Sequence, residues 1–572
     1  MSVEIRLMGR PGASSSGDEI SLRGHKAWVL LALLLLEGAP VSRDRLARML
    51  FIDAADPAAA LRWNLSQLRQ CLGVGLIGDP VALTIPDGVT VDVALLLDSD
   101  AEEAAAVPGL DEDLLAGVRA EAASDLAMWL EDERRHLRRV GLDIREEAAL
   151  TRLGRGDADG ALALARQVAE ASPLDENASA LLVRCLRAAG RITEARTTAE
   201  HAAARLRDEL GVEPTAQLWS AVATPPGGDR RVTGRRAVTA QLDAGASAVD
   251  AGATDTGIAA LRSAVVAARA VREPALLARA LVALGSAMIH GVRGVDQEGL
   301  TLLHEAVPLT ATTDDPTLAA RARREIGYVD FLRGRYDRAL HWFDQARRAG
   351  DDATTEIGWI DTYAGTSRDD VGDRPGAARL LTRALHVAQA QRDVRLEAYT
   401  LSILGRHHLM LGDLDEAQRA LDAALQIAHT IGWTSFRPWP EALLADVIRH
   451  HGDLHRARAM AEQAFVLGEQ IGDPCWEAAA LRSLGLVTVD DGDLDRGVAL
   501  LRDVPVLCRR LPDTYRWVEL WGYDALVDVA KRHQLAQAPA WAEHLATEAS
   551  ALGMRPLAQR ARSAHGSRAE PR

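Results

Sequence analysis

The side chains best placed for chemistry lie within Ala58–Leu72. Read as a helix, that stretch puts Leu61, Leu65, Leu68 and Leu72 on one face. Trp63, Ser66, Gln67 and Gln70 fall on the opposite face, with Arg62 and Arg69 at its flank, seven residues apart. An apolar back, a polar front and flanking cations suit a helix that reads DNA in the major groove. Glutamine pairs bidentately with adenine N6 and N7, and arginine neutralises phosphates. Arg43, Arg45 and Arg48 on a preceding helix, with Lys26, are placed to touch the DNA backbone. The plainer alternative is a solvated face. Trp63 either wedges at a DNA surface or packs beside a wing. Residues 1–97 hold nine Lys/Arg and ten Asp/Glu, a net of −1, so no general basic field supports binding. A dimer or a partner is therefore expected to assist.

Other chemistries find little support. His450, His451 and His455 cluster, and His407 adjoins His408, but Gly452-Asp453 interrupts helical spacing in the first group. We expect no metal site there. No nucleophile–base constellation has a recognisable spacing, and no GxxxxGK[S/T] loop occurs, so neither an enzyme nor a bound cofactor is expected. Cys71, Cys185, Cys475 and Cys508 are dispersed, as in a reduced cytoplasmic protein. The apolar run Trp28–Leu36 is too short to span a bilayer, and no membrane association is expected. The net charge of −15 argues against coating nucleic acid with the whole chain. Trp359, Phe436, Trp476 and Trp517 recur near the starts of successive repeats. They either line a groove for a ligand or fill the gaps between stacked helices.

The elements that must position these residues follow from periodicity. Val3–Met8 alternates as a strand, and Glu19–Leu22 is expected to close a hairpin with it. Helices follow over Lys26–Leu36, Arg43–Leu50 (capped by Ser42) and from Pro57 to Gly73. Ala82–Ile85 and Val89–Val93 are predicted to pair across Pro86-Asp87-Gly88. Strands, three helices and a hairpin make a winged helix-turn-helix plan for 1–97. Residues 98–107 read as a linker. Residues 108–218 read as a helical domain with turns at Gly156-Asp157 and Gly190-Arg191, and 223–236 as a second linker. Over 237–560, Gly-Asp turns at Gly372, Gly412, Gly452 and Gly492 recur every 40 residues. Small residues stand seven places before the turn, at Gly365, Gly405, Ala445 and Gly485. Such a period marks an α-solenoid, and this one resembles the tetratricopeptide repeat. The fold class is mainly α.

The N-terminal motifs carry a second resemblance. LRGHKAWVLLALLLLEGAPVSRDRLARMLF and DPAAALRWNLSQLRQCLG are similar to the winged helix of SARP-type bacterial transcriptional activators. WLEDERRHL, RGDADGALALARQVAEASPLDENASALLVRCLRAAGRITEA and LRDELGVEP resemble the bacterial transcriptional activation domain of that family. The resemblance covers about 1–218. It implies an activator that binds promoter DNA, with the adjoining domain mediating homodimer or RNA polymerase contacts. The array would sense an unknown effector, a ligand or a protein. Departures exist. Leu50-Phe51 stands where the family often has Trp, and Gln67 and Gln70 stand where it has an Arg-rich helix. The ATPase of larger members is missing. These departures keep alive the alternative of a repeat scaffold whose winged helix no longer binds DNA.

Overall fold

A computed structural model describes residues 3–121, 124–222, 234–291, 296–350, 355–511, 513 and 515–566. It divides into two compact units, 1–148 and 149–572. In the first, β1 (Val3–Arg6) buries Ile5 and leaves Glu4 and Arg6 exposed, as its alternation dictates. Its hairpin partner is β2 (Gly12–Ser15), drawn from the Gly/Ser run, followed by β3 (Asp18–Glu19). The expected pairing of Val3–Met8 with Glu19–Leu22 is thereby corrected: the second strand forms earlier in the chain. Three helices follow as expected: α1 (Lys26–Leu36), α2 (Arg43–Phe51) and α3 (Pro57–Leu72).

The expected hairpin across Pro86-Asp87-Gly88 is also corrected. Both of its strands exist, with other partners. β5 (Ala82–Thr84) pairs with β4 (Gly75–Ile77), while β6 (Val89–Val91) runs parallel to β1 with Val3 opposite Val89. The sheet order is β3-β2-β1-β6. Burial explains the choice, because β6 and the residues just after it deliver Val91 and Val93 to the core that holds Ile5 and Leu7. The segment 98–107 is no linker. It carries α5 (Ala101–Ala105) after α4 (Asp92–Asp98), and Leu96, Ala104 and Val107 join the same core. α6 (Asp125–Gly154) adds Leu130, Leu137, Val140 and Ile144.

The second unit begins within α6, not at 223–236. α7 (Ala158–Ala171), α8 (Glu176–Ala188), α9 (Ile192–Arg205) and α10 (Ala216–Val222) share one apolar core with the array. Most of the expected linker lies outside the described residues. The array helices pair in order: α11 (Arg235–Asp250) with α12 (Thr254–Val271), α13 (Pro274–Gly291) with α14 (Asp296–Thr310), and α15 (Pro316–Leu332) with α16 (Tyr336–Ala349). Next come α17 (Thr355–Val371) with α18 (Arg374–Gln391), α19 (Val394–Leu411) with α20 (Leu414–Thr430), and α21 (Pro438–His450) with α22 (Leu454–Ile471). α23 (Pro474–Asp490) with α24 (Leu494–Cys508), α25 (Arg516–Arg532) with α26 (Ala538–Ala551), and α27 (Arg555–Gly566) complete it.

First helices of successive pairs also pack on one another, α15 on α17, α17 on α19 and α19 on α21, which makes them an inner layer. At each Gly-Asp turn the glycine takes a left-handed φ, from 82° at Gly412 to 101° at Gly372, which an L side chain rarely adopts. Asp373, Asp453 and Asp493 then cap the second helix, accepting from Gly376, Arg456 and Arg496 backbone N–H at 2.9, 3.0 and 3.2 Å. The small residue before each turn receives the leucine that stands nine places after the turn glycine. A Cβ on Gly365, Gly405 or Gly485 would stand 2.9, 2.5 or 2.9 Å from the Cγ of Leu381, Leu421 or Leu501. Where the small residue is Ala445, the leucine position holds Ala461. Volume is conserved across the pair. α13 is long and apolar enough to cross a membrane, yet much of it is buried in this stack.

Candidate nucleic-acid interface

α3 is fixed at both ends by its own sequence. Asp56 accepts from the Ala59 N–H at 2.8 Å, Pro57 opens the first turn, and Gly73 closes the helix at φ 71°. Leu61, Leu65, Leu68 and Leu72 are buried, each within 2 % exposure, so the opposite face turns outward. On it Trp63 is 50 % exposed. Arg62, Arg69 and Gln70 are exposed, and Ser66 and Gln67 are half-buried. Asn64, which the leucine stripe does not predict as core, is buried and donates to the Ala60 carbonyl at 2.9 Å.

The front is not uniformly available. Gln67 accepts from the Arg23 N–H at 2.8 Å and donates back to the Arg23 carbonyl at 3.4 Å. That donor–acceptor pair is the one a glutamine would offer adenine, and here it is spent on the backbone. Arg45 pairs bidentately with Glu37, Arg48 with Asp44, and Arg62 stands 3.9 Å from Asp56. Arg43 donates to the Gly78 carbonyl at 3.1 Å, tying α2 to the β4–β5 turn. Lys26 lies over the Phe51 ring at 5.3 Å. Among the described residues, the side chains of Arg69 and Gln70 have no hydrogen-bond or ion-pair partner. The sequence reading missed two exposed apolar side chains, Ile52 after α2 and Ile77 on β4. Their signal was an isoleucine outside the core periodicity.

What holds this unit in shape is Asp92. Its carboxylate accepts from the backbone N–H of Leu7 and Met8 at 2.8 Å and of Val93 at 2.7 Å. Burial pushes its pKa above the ordinary carboxylate value, against the opposing pull of those three donors. Arg134 adds a second clasp, donating to the carbonyls of Leu114, Leu115 and Val118.

In the array, the four aromatic candidates each pack against another aromatic ring, and Trp359 and Trp476 are half-buried. Phe436 and Trp517 are buried. Trp359 packs on Tyr399 at 5.4 Å, Phe436 on Trp433 at 4.5 Å, Trp476 on Trp439 at 4.9 Å and Trp517 on Trp521 at 4.7 Å. The histidines likewise have local partners: His407 meets Asp369 at 2.8 Å and His450 the Asp446 carbonyl at 2.7 Å.

Residues 95–223 match the family described as the bacterial transcriptional activator domain. Solved structures give distant likenesses. A Rap protein complexed with competence and sporulation factor shares 14 % identity over 57 % of this chain and 98 % of its own, with a TM-score of 0.42. Mycobacterium tuberculosis EmbR, in complex with a low affinity phosphopeptide, shares 19 % over 38 % of this chain and 64 % of its own, at 0.31. Aspartyl phosphate phosphatase F from Bacillus subtilis shares 10 % over 80 % and 100 %, at 0.38. Residues 95–223 thus carry a bacterial transcriptional activator domain, followed by an array of tetratricopeptide-like helical repeats.

Proposed function

We propose that this protein binds promoter DNA through α3 and uses its repeat array to sense an effector. The carrying observation is the outward face of α3, where Trp63, Arg69 and Gln70 stand exposed over a buried leucine stripe. Arg69 supplies a phosphate contact and Gln70 a base contact. Ser66 and Arg62 border them, and Gln67 joins only by releasing Arg23. Arg43, Arg45 and Arg48 reach phosphates by exchanging their present partners, a small cost for exposed pairs. The activator domain supplies homodimer and RNA polymerase contacts, and the protein works in the cytoplasm.

The test is a titration of the full chain against its own upstream region and a scrambled duplex at two salt concentrations. Arg69→Ala should weaken both complexes alike and flatten the salt slope by roughly one unit. Gln70→Ala should instead relax sequence preference by about 1–3 kcal/mol at one base pair. A parent protein that prefers neither duplex at any salt would sink the reading. The scaffold alternative then takes its place, favoured by the internal pairing of Arg45, Arg48 and Gln67.

A further inference from the structure

The inner layer of the array is not empty. α18 reaches α19, and α22 reaches α23, through two residues, whereas seven separate α24 from α25. From that longer connection Asp513 and Tyr515 enter the inner layer and are both buried. The Asp513 carboxylate accepts from Arg333 Nε at 2.6 Å and from Asn177 Nδ2 at 2.9 Å, partners 180 and 336 residues away in sequence. The Tyr515 hydroxyl accepts from Arg406 Nη1 at 2.8 Å. Its ring lies 5.0 Å from Phe331 and 6.1 Å from Trp439. One short segment thus presents a carboxylate and a phenol, two residues apart, to inner residues of several different repeats.

The receiving surface leaves buried donors as well as acceptors unmatched, Asp513 Oδ2 and Asp370 Oδ2 among the acceptors. Arg184 lies two turns after Asn177 on α8 and is nine-tenths buried, yet neither of its terminal nitrogens has a hydrogen-bond partner among the described residues. Gln297 Nε2 and Arg406 Nε are also buried and unmatched. A buried donor without a partner is costly, and both terminal nitrogens of Arg184 are open to an anionic group. Three arginines beside an aromatic wall favour anionic groups joined to a ring. The resident example is itself a peptide.

We propose that this inner face is a binding site for an acidic peptide with a tyrosine two residues after a carboxylate, and that Asp513 and Tyr515 hold the site as a built-in competitor. Displacing them would release the α24–α25 connection from Asn177, Arg333 and Arg406 together. This gives the sensing array of the proposed function a ligand class and rests on that reading for its role, but its test contains no DNA. A failure here leaves the DNA reading standing, and a failure there leaves this one standing.

The probe is a fluorescein-labelled synthetic peptide of residues 509–516, RRLPDTYR, titrated into the full chain. Asp513→Asn with Tyr515→Ala should bind it at least about tenfold tighter than the parent, because the competent state is no longer masked. The same peptide carrying D513N and Y515F should lose that gain. A folded double variant that binds no tighter, or that binds both peptides alike, overturns the proposal. Should the variant fail to fold, hydrogen exchange on the parent decides. The Tyr515 amide, which donates to Cys475 Sγ at 3.3 Å, should exchange faster than the α25 core and faster still with added peptide. Exchange of that amide only through global unfolding would equally overturn it.

Discussion

Helices α2 and α3 and the inner layer of the array use arginine in opposite ways. On α2 and α3 the guanidinium groups sit outside: the side chains of Arg45, Arg62 and Arg48 are 51, 63 and 70 % exposed. In the array Arg406 is 1 % exposed, pairs with Asp370 and stacks 3.9 Å over the Trp517 ring. Arg324, pairing with Glu325 and Glu356, and Arg333, pairing with Asp513, are buried as well. An exposed pair is worth about 0–1 kcal/mol and exchanges readily for a phosphate. A buried pair is hard to break because the abandoned partner keeps its desolvation cost. The cations of α2 and α3 therefore stay exposed, while Arg324, Arg333 and Arg406 are locked where the repeats stack.

Substitutions can break this comparison, and the largest effect should come from Arg406→Ala. It strands Asp370 in the inner layer and should cost about 3–5 kcal/mol in denaturant unfolding of the full chain. A loss no larger than that of a surface pair would mean the network is incidental. Gly405→Leu comes next. Its side chain would enter the space held by Leu421, at a cost on the order of 1–3 kcal/mol. Adding Leu421→Ala should recover part of that loss, and strict additivity in the double variant would show that the two positions do not meet.

In the first unit Asp92→Ala should cost about 1–3 kcal/mol, because the Leu7 and Met8 N–H groups lose their acceptor. The check is hydrogen exchange at those two amides, which should become unprotected before α6 does. Smallest of all, Arg45→Ala should move stability by less than about 0.5 kcal/mol. Thermal unfolding that falls by several degrees would place Arg45 among the structural arginines instead.

Much of this was legible in the residues. The third helix could be drawn from Asp56-Pro57 at one end and Gly73 at the other, because capping is local chemistry. The repeat was legible from Gly-Asp spacing, since a positive φ admits few alternatives to glycine. Strand pairing was not. Ala82–Thr84 and Val89–Val91 read as mutual partners across a turn sequence, yet each pairs elsewhere. Pairing depends on which face finds a core, and that core includes residues 101–144, far along the chain. The apparent linker at 98–107 misled for a related reason: an Ala-rich acidic stretch is also a short amphipathic helix when a core stands beside it.

The candidate site divides along the same line. Sequence periodicity by itself determined which face of α3 turns outward, because four leucines at helical spacing admit one buried side. Only the tertiary structure decided that Gln67 is engaged by Arg23 while Gln70 is not, since that contact joins residues 44 positions apart. Likewise the sequence determined that a solenoid forms, through its period of 40 residues. That Asp513 meets Asn177 across 336 residues was decided by how many repeats stack and how each inner helix is turned, quantities set by packing and invisible to any local pattern.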